Sequence, residues 1–174
     1  MRDPIYTIGH STHGADAFLK LLRAHEIRQL ADVRLIPKSA RYPHFALERL
    51  GPFLESHGIA YRHFLDLGGR RRPKRGSVNT AWRVDAFRGY ADYMQTDPFR
   101  NAFDALLNYA DGGRTTVMCA EAVWWQCHRR LLSDALLVRG VPVLHVLSGG
   151  APKPHELSEF AREMDGEVIY PGLF

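Results

Sequence analysis

Cysteine is scarce in this chain: two residues, Cys119 and Cys127, among 174. Two thiols cannot supply the disulfide framework of a small secreted domain, so stability has to come from a packed core, and the pair is left to be reactive, metal-binding or simply buried. Long hydrophobic runs are lacking as well. The opening Met1-Arg-Asp-Pro4 is polar and the apolar run behind it is short, so neither a signal peptide nor a membrane partner is expected and the protein reads as cytoplasmic. Charge of one sign is modest too. A formal net charge of +4 with nine histidines suits anionic partners but does not demand nucleic acid. No repeat, low-complexity stretch or linker interrupts the pattern. With 45% hydrophobic and 24% charged residues, the expectation is one globular domain over residues 1–174, large enough to bury a core.

What is present is an alternation of strand and helix signals. Residues 5–9 form a short apolar strand ending in Gly9-His10-Ser11-Thr12-His13, and Phe18, Leu21, Leu22 and His25 then recur on one helix face. Residues 29–33 give a second strand, followed by a loop with two prolines and the cations Arg34, Lys38 and Arg41. A helix follows on Leu47, Leu50 and Leu54; Gly51-Pro52 should bend it, because proline removes a helix hydrogen bond, and Gly58 should stop it. Residues 59–65 read as a third strand running into Gly68-Gly69 and then five cations within residues 70–75. Phe87, Tyr90, Ala91 and Met94 mark one helix. Asp97-Pro98, as cap and first position, opens the next, carried by Phe99, Phe103, Leu106 and Ala110. Residues 115–118 begin a fourth strand and residues 142–147 a fifth. Leu157, Phe160, Ala161 and Met164 suggest a last helix, and residues 168–170 a short terminal strand.

This order predicts an α/β fold: a three-layer, open, mainly parallel sheet with helices on both faces. In such sheets the loops leaving the carboxyl ends of the strands share one edge, where ligands bind. His10 and Ser11, Asp32 and Arg34, residues 68–72, Cys119 and Glu121, and His145 would then converge on one pocket.

The stretch from Thr115 to Arg130 organises that pocket. It holds both cysteines, and a thiol placed where a strand gives way to a helix meets N–H groups and a helix dipole that favour thiolate. Cys119 is the expected nucleophile, with His10 and Glu121 as acid–base partners and His10 or His128 able to create or stabilise the thiolate. Ser11, Asp32, Arg34, Arg41, Gly68, Gly69, Cys127, His128 and Arg129 are the expected substrate-binding set. Guanidinium groups among them suit a small anionic or nucleotide-like ligand. Cys127 also fits a resolving thiol. Each of these residues has a plainer use. Cys119 can be a small buried hydrophobe, Glu121 can hold Arg34 or Arg129, His10 can bond a turn carbonyl, Ser11 can cap the following helix, and the cations of residues 70–75 can be a solvated face.

Several spaced motifs resemble those of the bacterial and archaeal family catalogued as domain of unknown function 488: Thr7-Ile-Gly-His-Ser11, Asp32-Val-Arg34 with Pro37, Ser39 and Arg41, Leu67-Gly-Gly69, Cys119-Ala-Glu121 and Cys127-His-Arg129. The resemblance implies an α/β domain and no particular reaction. A fainter similarity, in the order of an Asp-Val-Arg strand end and a later cysteine, is to rhodanese-like sulfurtransferases and their phosphatase relatives. Those enzymes close a short backbone cradle with an arginine, whereas here Ala-Glu-Ala-Val-Trp-Trp-Gln precedes Cys127-His-Arg.

Two functions from different classes follow. One is a thiol-dependent enzyme with no cofactor, acting through Cys119. The other is a non-catalytic module that binds nucleic acid or a phosphoryl ligand through the cations, with Trp82, Trp124, Trp125 and Tyr42 available to stack on bases. A zinc site made of Cys119, Cys127 and His128 with His10 or Glu121 is a rival use of the same atoms.

Overall fold

The computed structural model describes residues 2–38 and 40–172. Ser39, one of the motif residues above, lies outside the described residues. The elements run β1 (Ile5–Gly9), α1 (Ala15–Ala24), β2 (Gln29–Asp32), α2 (Leu47–Ser56), β3 (Ala60–His63), α3 (Asp85–Tyr93), α4 (Asp97–Ala110), β4 (Thr115–Cys119), α5 (Arg129–Val138), β5 (Val143–His145), β6 (Lys153–Pro154), β7 (Arg162–Met164) and β8 (Glu167–Ile169). The main sheet has the order β3-β2-β4-β1-β5-β6, parallel throughout except for the antiparallel edge made by β6.

Alternation along the strands divides the core in two. Ile5, Ala31, Val117, Cys119 and Val143 join residues of α3, α4 and α5 on one face. Tyr6, Ile8, Leu30 and Met118 join Phe18, Leu22, Leu50 and Leu54 of α1 and α2 on the other. Side chains of period two on a sheet buried on both sides require this, and it gives the expected three layers. No described helix is long and apolar enough to cross a membrane.

The α2 helix runs through Pro52, which forgoes the bond to the Glu48 carbonyl. Three local expectations need correction. First, α4 is capped by Thr96, one residue earlier than Asp97. Second, Ser11 does not cap α1, whose N-cap is Gly14; Ser11 instead takes a positive φ of 48° in the turn after β1. Third, there is no helix on Leu157 and Met164, which are both exposed. Residues 162–169 form the β7–β8 hairpin, turning on Asp165 and Gly166 with φ of 53° and 80°. Two successive positive φ values suit an Asp-Gly hairpin turn, and that turn chemistry overrides a helix-like spacing.

The β4 strand lies between β2 and β1, and the chain leaves the neighbouring ends of β1 and β4 towards opposite faces, through α1 and α5. That is a switch point, where connections diverge and leave a crevice. Gly9 closes it tightly, since a methyl group there would overlap the Glu121 carbonyl. Gly9→Ala should therefore cost about 3 kcal/mol or more in urea unfolding, as overpacking against a fixed backbone does. Gly14→Ala meets nothing within 4 Å and should change stability by less than about 1 kcal/mol. Equal effects would contradict this packing.

Candidate active site

Cys119 ends β4 and Cys127 stands just ahead of α5, and the fold brings their sulfurs to 2.7 Å. Arg129, in the first turn of α5, is 1% exposed and lies behind them. Its Nε donates to Cys119 Sγ at 3.0 Å, one terminal nitrogen to Thr7 Oγ1 at 3.2 Å and the other to the Glu121 carbonyl at 2.7 Å. Among the described residues no carboxylate pairs with this guanidinium.

His128 stands beside the pair. Its Nε2–H donates to the Val33 carbonyl at 3.0 Å, so in the neutral ring Nδ1 turns a lone pair towards Cys127 Sγ, 3.5 Å away. Gly69 makes room for the ring: a β-carbon there would lie 2.9 Å from Nδ1. Gly68 likewise admits Leu35, whose Cα would be 2.8 Å from an added methyl.

The two thiols titrate as a unit, with opposite directions. Burial pushes the Cys119 thiol well above the ordinary range, and the hydrogen bond and charge of Cys127 push the same way against Arg129. Burial opposes ionisation at Cys127 as well. There the hydrogen bond from Cys119, the adjacent His128 and Arg129 outweigh it and hold the thiol well below the ordinary range. The Arg129 backbone N–H, 3.4 Å from Cys127 Sγ at the start of α5, favours the same anion. The guanidinium Nε lies against Cys119, while the Arg129 backbone N–H and the His128 ring lie against Cys127.

A cavity of about 250 Å³ is lined by both cysteines together with Arg34, Gly69, Arg70, Phe87, Glu121 and His128. It adjoins a wider cleft of about 620 Å³ whose walls include His10, Ser11, Lys38, Arg41 and Tyr42. Arg34, Arg70 and Glu121 face both spaces. Asp32, Gly68 and Arg129 lie underneath rather than in either wall.

Arg34 makes a bidentate pair with fully buried Asp32, at 2.9 and 2.7 Å, and Tyr61 donates to the same carboxylate. Its remaining nitrogen donates to His10 Nε2 at 3.4 Å, while His10 Nδ1–H donates to the Ser11 carbonyl and the ring stacks on Phe45. Burial, helped by Arg34, lowers the His10 pKa to about 4 against the Ser11 bond. At neutral pH His10 is thus an uncharged support for Arg34. No hydrogen bond joins it to either sulfur among the described residues.

Several expectations change here. The Glu121 side chain is exposed, and it is the Glu121 carbonyl, not the carboxylate, that holds Arg129. His145 faces away from both clefts, stacked on Trp124 at 4.2 Å. Trp82 is buried against Phe87, Phe160 and Tyr170, which removes it from any base-stacking surface. The basic loop is partly anchored: Asp92 accepts bonds from the Lys74 backbone, Ser77 and Asn79, and Arg71 lies over Tyr93. Among the described residues no group of three or more His, Cys, Asp or Glu is arranged to hold a metal ion. Two zinc-bound sulfurs at tetrahedral angles stand about 3.8 Å apart, whereas these are 2.7 Å apart with a buried cation against one of them.

Sequence reasoning missed the groups behind Arg129. His155 Nε2–H donates to Asp134 at 2.7 Å; His155 Nδ1 meets His145 Nε2 at 2.9 Å, and His145 Nδ1 meets Thr7 Oγ1 at 2.6 Å. For neutral rings the donors run one way, from Arg129 through Thr7, His145 and His155 to the carboxylate. Ser158 and Tyr170 complete the shell of Asp134. An acid inside the run Leu131-Leu132-Ser133-Asp134-Ala135-Leu136 was the one available signal, since a buried carboxylate needs partners.

The family comparison matches the domain of unknown function DUF488 over residues 14–136, more than two thirds of the chain. The chain belongs to the DUF488 family. The matched span holds Asp32, Arg34, both cysteines, His128 and Arg129; the Thr7 to Ser11 motif lies before it. No curated protein and no solved structure matches this DUF488 chain.

Both His10 and His145 have folded pKa values below the unfolded one, His145 at about 3, chiefly through burial. The unfolded chain therefore binds more protons below about pH 6.5, so stability is full above that pH and falls as pH drops towards 4. Urea unfolding at pH 7 and pH 4.5 should show His10 alone contributing roughly 2 kcal/mol of this loss. The His10→Gln variant should lose correspondingly less over the same interval. An unchanged slope would contradict the buried neutral ring.

Proposed function

We propose that this DUF488 domain is a cytoplasmic, thiol-dependent enzyme acting on a small anionic substrate, and that Cys127 rather than Cys119 is its nucleophile. The observation that carries the reading is the triad-like order Val33 carbonyl, His128, Cys127: an orienting acceptor, a base with its lone pair on the thiol, and a cysteine that lines a cavity. His128 takes the Cys127 proton and returns it to the leaving group. Cys119 and Arg129 support the anion from behind.

The cationic rim supports the choice of substrate. Arg70, Lys38 and Arg41 stand at the walls with Arg34 between them, and guanidinium groups suit phosphate or carboxylate. Phe87 and Tyr42 give the spaces apolar surface of the kind a nucleotide-sized ligand uses. Binding of nucleic acid without chemistry would draw on the same cations but leaves the thiol pair and His128 without a role.

Alkylation by iodoacetamide, followed on each cysteine by peptide mass spectrometry, tests the assignment. Cys127 should react with an inflection below that of an ordinary thiol, and Cys119 only slowly while the protein is folded. His128→Ala should move the Cys127 inflection upward. Faster reaction at Cys119, or no reaction at either site, would sink the assignment. Nucleic-acid affinity that falls steeply with salt while both thiols stay inert would favour the binding module instead.

A further inference from the structure

We propose that Cys127 and Cys119 work together as a dithiol that reduces low-molecular-weight disulfides bearing carboxylate groups, through a mixed disulfide on Cys127. The proposal rests on Cys127 being the nucleophile and adds its partner, its substrate class and its product.

Two observations carry it. The two sulfurs are already 2.7 Å apart, on residues that line one cavity, so closing to a bond of about 2.05 Å needs only a small side-chain movement. The cavity is large enough for more than a peroxide, and it opens into a cleft edged by Arg34, Lys38, Arg41 and Arg70, where carboxylates of a disulfide would be held.

The exchange balances without an external redox group. Cys127 thiolate attacks one sulfur of the substrate R–S–S–R; the new bond joins Cys127 to that sulfur, and the other leaves as R–S⁻, taking the proton from His128. Cys119 Sγ then attacks Cys127 Sγ, displacing the second R–S⁻, which takes the Cys119 proton. The substrate gains two electrons and becomes two R–SH, and the protein loses two electrons and gains the Cys119–Cys127 disulfide. A thiol reductant reopens that bond by the reverse exchange.

The surroundings order these steps. While Cys127 is anionic, its charge and hydrogen bond help keep the proton on Cys119. Once Cys127 is tied up in the mixed disulfide, both influences vanish. Arg129 Nε, 3.0 Å from Cys119 Sγ, is then free to favour the second thiolate. The resolving thiol is thereby released only after the first step is complete.

The probe is dithiobis(nitrobenzoate), an anionic disulfide whose released thiolate is coloured. Wild-type protein should release two equivalents, carry no label and lose the mass of two hydrogens. Cys119→Ser should release one equivalent and retain the label on Cys127. Cys127→Ser should react at least about tenfold more slowly. A label that persists on wild-type Cys127 would overturn the dithiol step while leaving the nucleophile assignment intact, provided iodoacetamide still finds Cys127 reactive. Inertness to both reagents would overturn both. Replacing Lys38 and Arg70 together by Glu should slow the anionic probe about tenfold and speed cystamine, a cationic disulfide. Equal slowing of the two would overturn the carboxylate preference.

Discussion

A buried guanidinium, with no carboxylate against it among the described residues, governs this structure. Burying an ion costs several kcal/mol unless its donors are met, and Arg129 meets them with a thiol, a hydroxyl and a main-chain carbonyl. Each partner comes from a different part of the sheet edge: Cys119 from the end of β4, Thr7 from β1, Glu121 from the turn that Gly9 admits. The positive charge holds three segments in place and lowers the cost of an anion beside them. The compensating carboxylate, Asp134, stands at the far end of a chain of neutral donors. Positive and negative ends are thereby kept apart, and the field between them is not cancelled at the sulfurs.

A second buried arginine behaves differently. Arg34 is neutralised by a bidentate carboxylate and steadied by His10, so it adds shape and donors to the cleft more than net charge. The exposed cations of the rim, Lys38, Arg41 and Arg70, supply the positive charge at the cleft. One arginine acts on the thiols from beneath, and the other forms part of the floor on which a ligand would rest.

The parts of this arrangement that depend on local pattern were legible in the sequence. Apolar runs and punctuating turns gave five parallel strands, and the parallel order alone placed His10, Arg34, Gly69 and Cys119 at one edge. What depends on partners distant in sequence was not legible. Nothing near Thr7 announces His145, and nothing near Asp134 announces His155 or Tyr170. Which of two neighbouring cysteines bears the charge turns on the direction of one imidazole, fixed by a carbonyl at Val33, 95 positions away. At the carboxyl end, the spacing of Phe160, Ala161 and Met164 fitted a helix, but Asp165-Gly166 fixed a hairpin that lays Val168 and Tyr170 over α5.

The central place of β4 also sets the order in which the molecule can come into being. As the chain is synthesised, β1, β2 and β3 appear first, yet β1 and β2 have no direct hydrogen bonds to each other because β4 occupies the gap between them. Until residue 119 has emerged, both strands carry an unpaired edge and an apolar face without its α5 cover, a state prone to pairing with other chains. The insertion that completes the sheet is also the event that delivers Cys119 to its place. The two thiols, eight positions apart, can meet in any loose chain, but only the closed sheet sets Arg129, Thr7 and the Glu121 carbonyl behind them.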